Sequence, residues 1–135
     1  MESLFFDDWN FDGFLDFSLT YHGFHATAYF LWDTTKNLFI RNWELENLGG
    51  RYKISVCYET KRLKIFGGRM NLFFVEYFEY INDEITMVKA IEEWHEFIEV
   101  TESGYLFTIH FTYRELVDGE MIVVNKTEHN EIWGR

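Results

Sequence analysis

The chain has 135 residues, a formal net charge of −11, 21% aromatic residues, a single cysteine and no proline. That length fits one domain able to bury a core without covalent staples, the aromatic content argues against disorder, and the lone Cys57 excludes an internal disulfide, a zinc-finger spacing and a CxxC redox pair. The acidity opposes nucleic acid and anionic membranes and favours basic partners, and the lack of any run of about 18 apolar residues excludes a membrane-spanning helix.

The charge is unevenly spread. No Lys or Arg precedes Lys36, whereas Glu2, Asp7, Asp8, Asp12, Asp16 and Asp33 all do. The opening MESLFFDDWNFDGF has no basic segment and is broken by Asp7 and Asp8, so it is not a signal peptide, and a cytoplasmic location is expected. Residues 1–12 read as an N-terminal arm that docks through Phe5, Phe6, Trp9 and Phe11.

Residues 14–21 alternate, with Leu15, Phe17, Leu19 and Tyr21 on one face and Asp16, Ser18 and Thr20 on the other. A turn at His22-Gly23 leads to a second alternating strand, 24–32, in which Ala26 and Ala28 leave room for large residues opposite. A polar loop from Thr34 to Asn37 precedes a third strand near 38–45, and Gly49-Gly50 ends that unit. Residues 51–58 alternate Tyr52, Ile54, Val56 and Tyr58 against Lys53, Ser55 and Cys57, which makes Cys57 a small hydrophobe and not a nucleophile. A loop at Thr60-Lys61 leads to a strand at 62–66, and Gly67-Gly68 is the next expected turn.

Residues 70–81 form the longest strand candidate. They are apolar on both faces from Leu72 to Val75, as in a strand covered on both sides. Within 84–100 the apolar residues fit both periods. Asn82-Asp83 as a hairpin turn and the β-branched content favour strand. Glu102-Ser103-Gly104 is a hairpin loop before the strand at 105–113, in which Phe111 is expected to be a large buried side chain. Asp118-Gly119 is a strong two-residue hairpin signal. Its register pairs Leu116 with Met121, Tyr113 with Val124, Thr108 with His129 and His110 with Thr127, and residues 128–135 read as a polar tail anchored by Trp133.

The expected fold is mostly β: a single-domain antiparallel meander of nine or ten strands, rolled into a barrel or folded as a two-layer sandwich, with at most one or two short helices.

Chemistry is sparse. GxSxG, a P-loop, GxGxxG and HExxH are all absent. His22 and His25 flank a turn, and the sequence names no third ligand for them; His110 and His129 share a polar patch on the expected register. His95 reads as a partly exposed histidine among Glu92, Glu93, Glu96 and Glu99. No base–nucleophile pair is visible, so the chain is not expected to be an enzyme, and no cofactor or metal is expected. Residues 51–69 hold six basic residues (Arg51, Lys53, Lys61, Arg62, Lys64 and Arg69) against Glu59, a net +5 that reads as a stripe pairing with the protein's own acids.

The preferred reading is a small acidic cytoplasmic protein-binding module. It resembles stoichiometric inhibitors and immunity proteins in size, acidity and want of a catalytic motif, and the expected partner is a basic protein such as a toxin or nuclease. The expected contact residues are Glu76, Glu79, Asp83, Glu84, Glu92, Glu93, Glu96 and Glu99, from a stretch, 70–102, with nine acids against Lys89. The Asp-rich N-terminus is the second choice. The alternative is an intracellular carrier of a small apolar ligand, since the dimensions resemble the lipid-binding β-clam. That family's opening motif and helix–turn–helix are missing.

Overall fold

The computed structural model describes residues 2–23 and 26–134. Phe24 and His25, and with His25 the His22/His25 pair, lie outside the described residues. Among the described residues two antiparallel sheets and one short helix form the fold, without a closed barrel. The first sheet has the order β1 (Glu2–Asp7), β2 (Asp16–Tyr21), β3 (Ala26–Asp33), β4 (Leu38–Arg41). Helix α1 (Trp43–Gly49) follows. The second sheet runs in chain order from β5 (Ile54–Cys57) through β6 (Arg62–Arg69), β7 (Leu72–Ile81), β8 (Glu84–Val100) and β9 (Tyr105–Val117) to β10 (Glu120–Trp133). Among the described residues no helix is long and apolar enough to cross a membrane.

The chain divides into two compact units, Met1–Ile65 with Glu79–Ile85 and Phe66–Phe78 with Thr86–Arg135. In the first, the opening segment pairs as β1 with β2, Glu2 opposite Tyr21 through Asp7 opposite Asp16. Trp9 is buried at 1% exposure, and its indole N–H donates to the Ile54 carbonyl at 3.1 Å. Tyr29 packs edge-on against Trp9 at 5.1 Å, and its hydroxyl accepts the Ile54 N–H at 3.1 Å. Leu45, Leu63 and Ile65 are also buried. The alternation in β2 is as expected, but its polar row faces inward: Asp16 and Ser18 are fully buried, while Phe17 is half-buried in a cluster with Phe6, Phe30 and Phe39. Strand β4 stops at Arg41, short of the expected 45. Asn42 caps a helix there, its side-chain oxygen accepting the Leu45 N–H at 2.8 Å, and Gly50 ends it with φ 56°.

The second unit is built from strands. β6 runs through Gly67-Gly68, and the chain turns at Met70-Asn71 instead. Gly68 belongs to the strand because a Cβ there would stand 2.6 Å from the Phe73 ring and 2.9 Å from the Leu72 carbonyl oxygen. β7 is an inner strand, yet Leu72–Val75 are exposed or half-buried, not covered on both faces. Residues 84–100 form one strand of 17 residues, the longest, in place of 70–81.

The turns before β8 and β10 have positive φ at both central residues: 51° and 64° at Asn82-Asp83, and 51° and 83° at Asp118-Gly119. This is the mirror-image turn whose twist matches a hairpin. Leu116 pairs with Met121 as expected. A bulge between Val123 and Asn125 then shifts the register by one, so Tyr113 faces Asn125, Thr108 faces Asn130, His110 faces Glu128 and Ile109 faces His129. β10 continues to Trp133, so the expected polar tail is strand. The buried residue of β9 is Ile109, and Phe111 is only half-buried.

Candidate functional site

The expected acidic contact residues do not form one face. Glu79, Asp83 and Glu84 belong to the first unit, and Glu76, Glu92, Glu93, Glu96 and Glu99 to the second. Glu79 is engaged by Arg62 at 3.0 Å, which supports internal pairing at that member of the basic stripe. Asp83 lies in the β7–β8 turn and Glu84 begins β8. Along β8, Glu92, Trp94 and Glu96 pair with Thr112, His110 and Thr108 on one face, and Glu93, His95 and Phe97 occupy the other. A bulge between Phe97 and Glu99 sets the exposed Glu99 apart.

Two carboxylates do come together. Glu76 on β7 and Glu92 on β8 line an open cleft of about 180 Å³ whose other walls are Leu72, Phe74 and Ala90. Burial, and then repulsion from Glu92, raises the Glu76 carboxyl above its ordinary value. Arg114 bonds Glu92 from β9, so the cleft holds one ion-paired carboxylate and a second that repels it. An aliphatic stem ending in a cation matches such walls, because the stem covers apolar surface while the head stays with charge.

Further along the same face, Trp94 stacks on His110 at 4.9 Å. The His110 ring lies between Glu96 at 3.1 Å and Glu128 at 3.2 Å. His129 is on the opposite face, bonded to Glu131 at 2.6 Å, so the expected His110/His129 patch does not exist; the bulge in β10 separated them. His95 is likewise not exposed. It is buried, bonded to Glu93, and packed against Phe73 at 5.3 Å and Trp133 at 5.1 Å, because the odd-numbered face of β8 carries the aromatic cluster.

The β1–β2 loop is a second concentration of charge. Asp8 accepts the N–H groups of Asp12 at 3.2 Å and Gly13 at 2.8 Å, and Asp12 accepts that of Phe14 at 2.9 Å. Asp16 accepts one N–H on each oxygen, from Trp9 at 3.1 Å and Trp32 at 2.9 Å. Despite those donors, burial pushes its carboxyl up to about 6, and Asp12 and Asp8 add to the rise. Among the described residues no basic side chain forms an ion pair with Asp8, Asp12 or Asp16. Asp8, Asp12 and Asp16 belong to the Asp-rich N-terminus, the second-choice contact surface, and their hydrogen bonds within the loop are a feature of the structure.

No family model and no curated protein matches the chain. It is similar in structure to a protein described as a Xanthomonas type IV secretion system related protein, with TM-score 0.66 and 20% identity over 91% of this chain. The chain spans 58% of that protein's length, and a likeness at this identity shows the fold alone.

Proposed function

We propose that this chain is a stoichiometric protein-binding module of the inhibitor or immunity type, whose partner is a basic protein such as a toxin or nuclease. A cytoplasmic location belongs to the same reading. The observation that carries it is the cleft in which Glu76 and Glu92 stand over Leu72, Phe74 and Ala90. A Lys or Arg from a partner would relieve the repulsion between the two carboxylates and cover the apolar walls. The neighbouring Trp94, 42% exposed and flanked by Glu92 and Glu96, supplies the aromatic anchor that such contacts favour. Long-range attraction by the −11 chain would steer the encounter. The apolar-carrier alternative draws no support from this cleft, which is open and charged.

The test compares wild type with the Glu76→Lys/Glu92→Lys double variant as bait at low and high salt, followed by stopped-flow association with each purified basic protein retained. Association should slow by about 10–10³-fold at low salt, with convergence at high salt. Equal capture and equal on-rates for the two baits would rule the cleft out.

A further inference from the structure

We propose that β10 is a self-association edge: two copies of this chain join β10 to β10, antiparallel, with the two-fold axis at Thr127, into one continuous sheet. Among the described residues β10 ends the second sheet with β9 as its one neighbour, so the outer edge of its 14 residues carries unpaired main-chain N–H and C=O groups. All of them but Met121 are exposed, including Ile122, Val123, Val124, Ile132 and Trp133. A long edge of this kind takes up a further strand unless something blunts it. Proline would blunt it, and the chain has none. Two other blunting devices are present. The bulge between Val123 and Asn125 confines the regular edge to 125–133, and Lys126 points to the occupant.

A lysine repels most incoming strands, but an acid stands two residues further on and on the same face: Lys126 lies opposite Thr112 of β9, and Glu128 opposite His110. Lys126 forms no ion pair among the described residues. The Glu128 side chain, bonded to His110 at 3.2 Å, is still 68% exposed. In an antiparallel ladder opposed residues share a face, and faces alternate along each strand. The axis of a self-pair therefore passes through one residue and its own copy. Along 125–131, axes at Lys126, Glu128 or Glu131 set like charges together. The axis at Thr127 alone sets Lys126 opposite a carboxylate, Glu128 of the other copy, and it does so twice. The apolar residues single out the same axis. They lie at the two ends of β10, 122–124 and 132–133, with a polar stretch between. Antiparallel pairing about Thr127 lays the start of each copy alongside the end of the other, so the apolar ends cover one another. The bulge interrupts the ladder beyond 125–129, and so short a ladder associates weakly. The −11 charge of each copy opposes approach, but physiological salt screens it beyond about 8 Å, so the pairs in contact decide the register.

The experiment uses the full chain at physiological ionic strength, with circular dichroism to check that each variant folds. Sedimentation equilibrium should show a reversible monomer–dimer equilibrium. Lys126→Glu and Glu128→Lys should each weaken the dimer about tenfold or more, because each turns two attractive pairs into two repulsive ones. The double variant Lys126→Glu/Glu128→Lys should restore it, since it exchanges the signs and keeps the pairing. In a Cys57→Ala background, Thr127→Cys should cross-link to its own copy on mild oxidation. Asn130→Cys, whose copies stand about 20 Å apart in this register, should not. The proposal is overturned if folded wild type stays monomeric up to about 1 mM. It is equally overturned if neither single reversal weakens the dimer, if the double variant fails to restore it, or if Thr127→Cys does not cross-link. Should a charge variant not fold, the wild-type association and the Thr127→Cys cross-link decide.

Discussion

Two tryptophans mark the difference between the two compact units. Trp9 in the first is 1% exposed and hydrogen-bonded, whereas Trp94 in the second is 42% exposed and stacks on a histidine. The contrast extends to the units as wholes. Of the ten buried apolar side chains among the described residues, seven (Trp9, Ala28, Tyr29, Leu45, Ile54, Leu63 and Ile65) lie in the first unit and three (Phe78, Ala90 and Ile109) in the second. The first unit wraps a sheet, a helix and a strand pair around that core and also encloses Asp16 and Ser18. The second joins long strands through cross-strand ladders and ion pairs at the surface, which add little stability each. Where burial is dense, side chains answer to the fold. Where it is thin, aromatic and acidic groups remain available for contact.

Truncating each tryptophan should separate the two units most clearly. Trp9→Ala should cost about 3–5 kcal/mol in denaturant unfolding, as expected for a large buried aromatic that leaves a cavity. Trp94→Ala should cost about 1 kcal/mol or less in the same measurement while weakening partner capture. Equal losses of stability would show that the second unit depends on its exposed face as much as the first depends on its core.

A smaller effect concerns Glu76. Its carboxyl is raised from an ordinary value of 4.5 by burial and by Glu92, so the folded state binds its proton more tightly than the unfolded chain does. The resulting stabilisation is complete below about 4.5 and is lost as pH rises through the raised folded value. Glu76→Gln should therefore melt higher than wild type near neutral pH, with the gap closing as pH falls through that window. A gap independent of pH would contradict the assigned cause.

The smallest effect belongs to Ser18, whose hydroxyl is fully buried without a hydrogen-bond partner. Ser18→Ala should shift stability by about 1 kcal/mol or less, in the stabilising direction, because it removes a desolvated polar group. A clear loss in thermal melts would reveal a partner for that hydroxyl.

Strand content and most turns could be read from residues alone, since alternation and paired Asn, Asp and Gly act over a few neighbours. Asn82-Asp83 and Asp118-Gly119 turn the chain as their residue types require. Gly67-Gly68 does not turn the chain, because small residues serve close approach as readily as they serve turns, and only the position of Phe73 distinguishes the two. Little of the candidate site was legible. Glu76 and Glu92 are sixteen residues apart, and the turn between β7 and β8 brings them together.

The residues by themselves settle local matters: the period-two alternation of most strands and the turns at Asn82-Asp83 and Asp118-Gly119. Which face of each strand turns inward, and which charges meet, depends on packing between strands. Period two divides a strand into two rows but does not rank them, so Asp16 and Ser18 became interior once Trp9, Tyr29 and Trp32 closed around them. A single inserted residue in β10 reverses every side chain beyond it, and that bulge, a matter of pairing between strands, moved His129 away from His110.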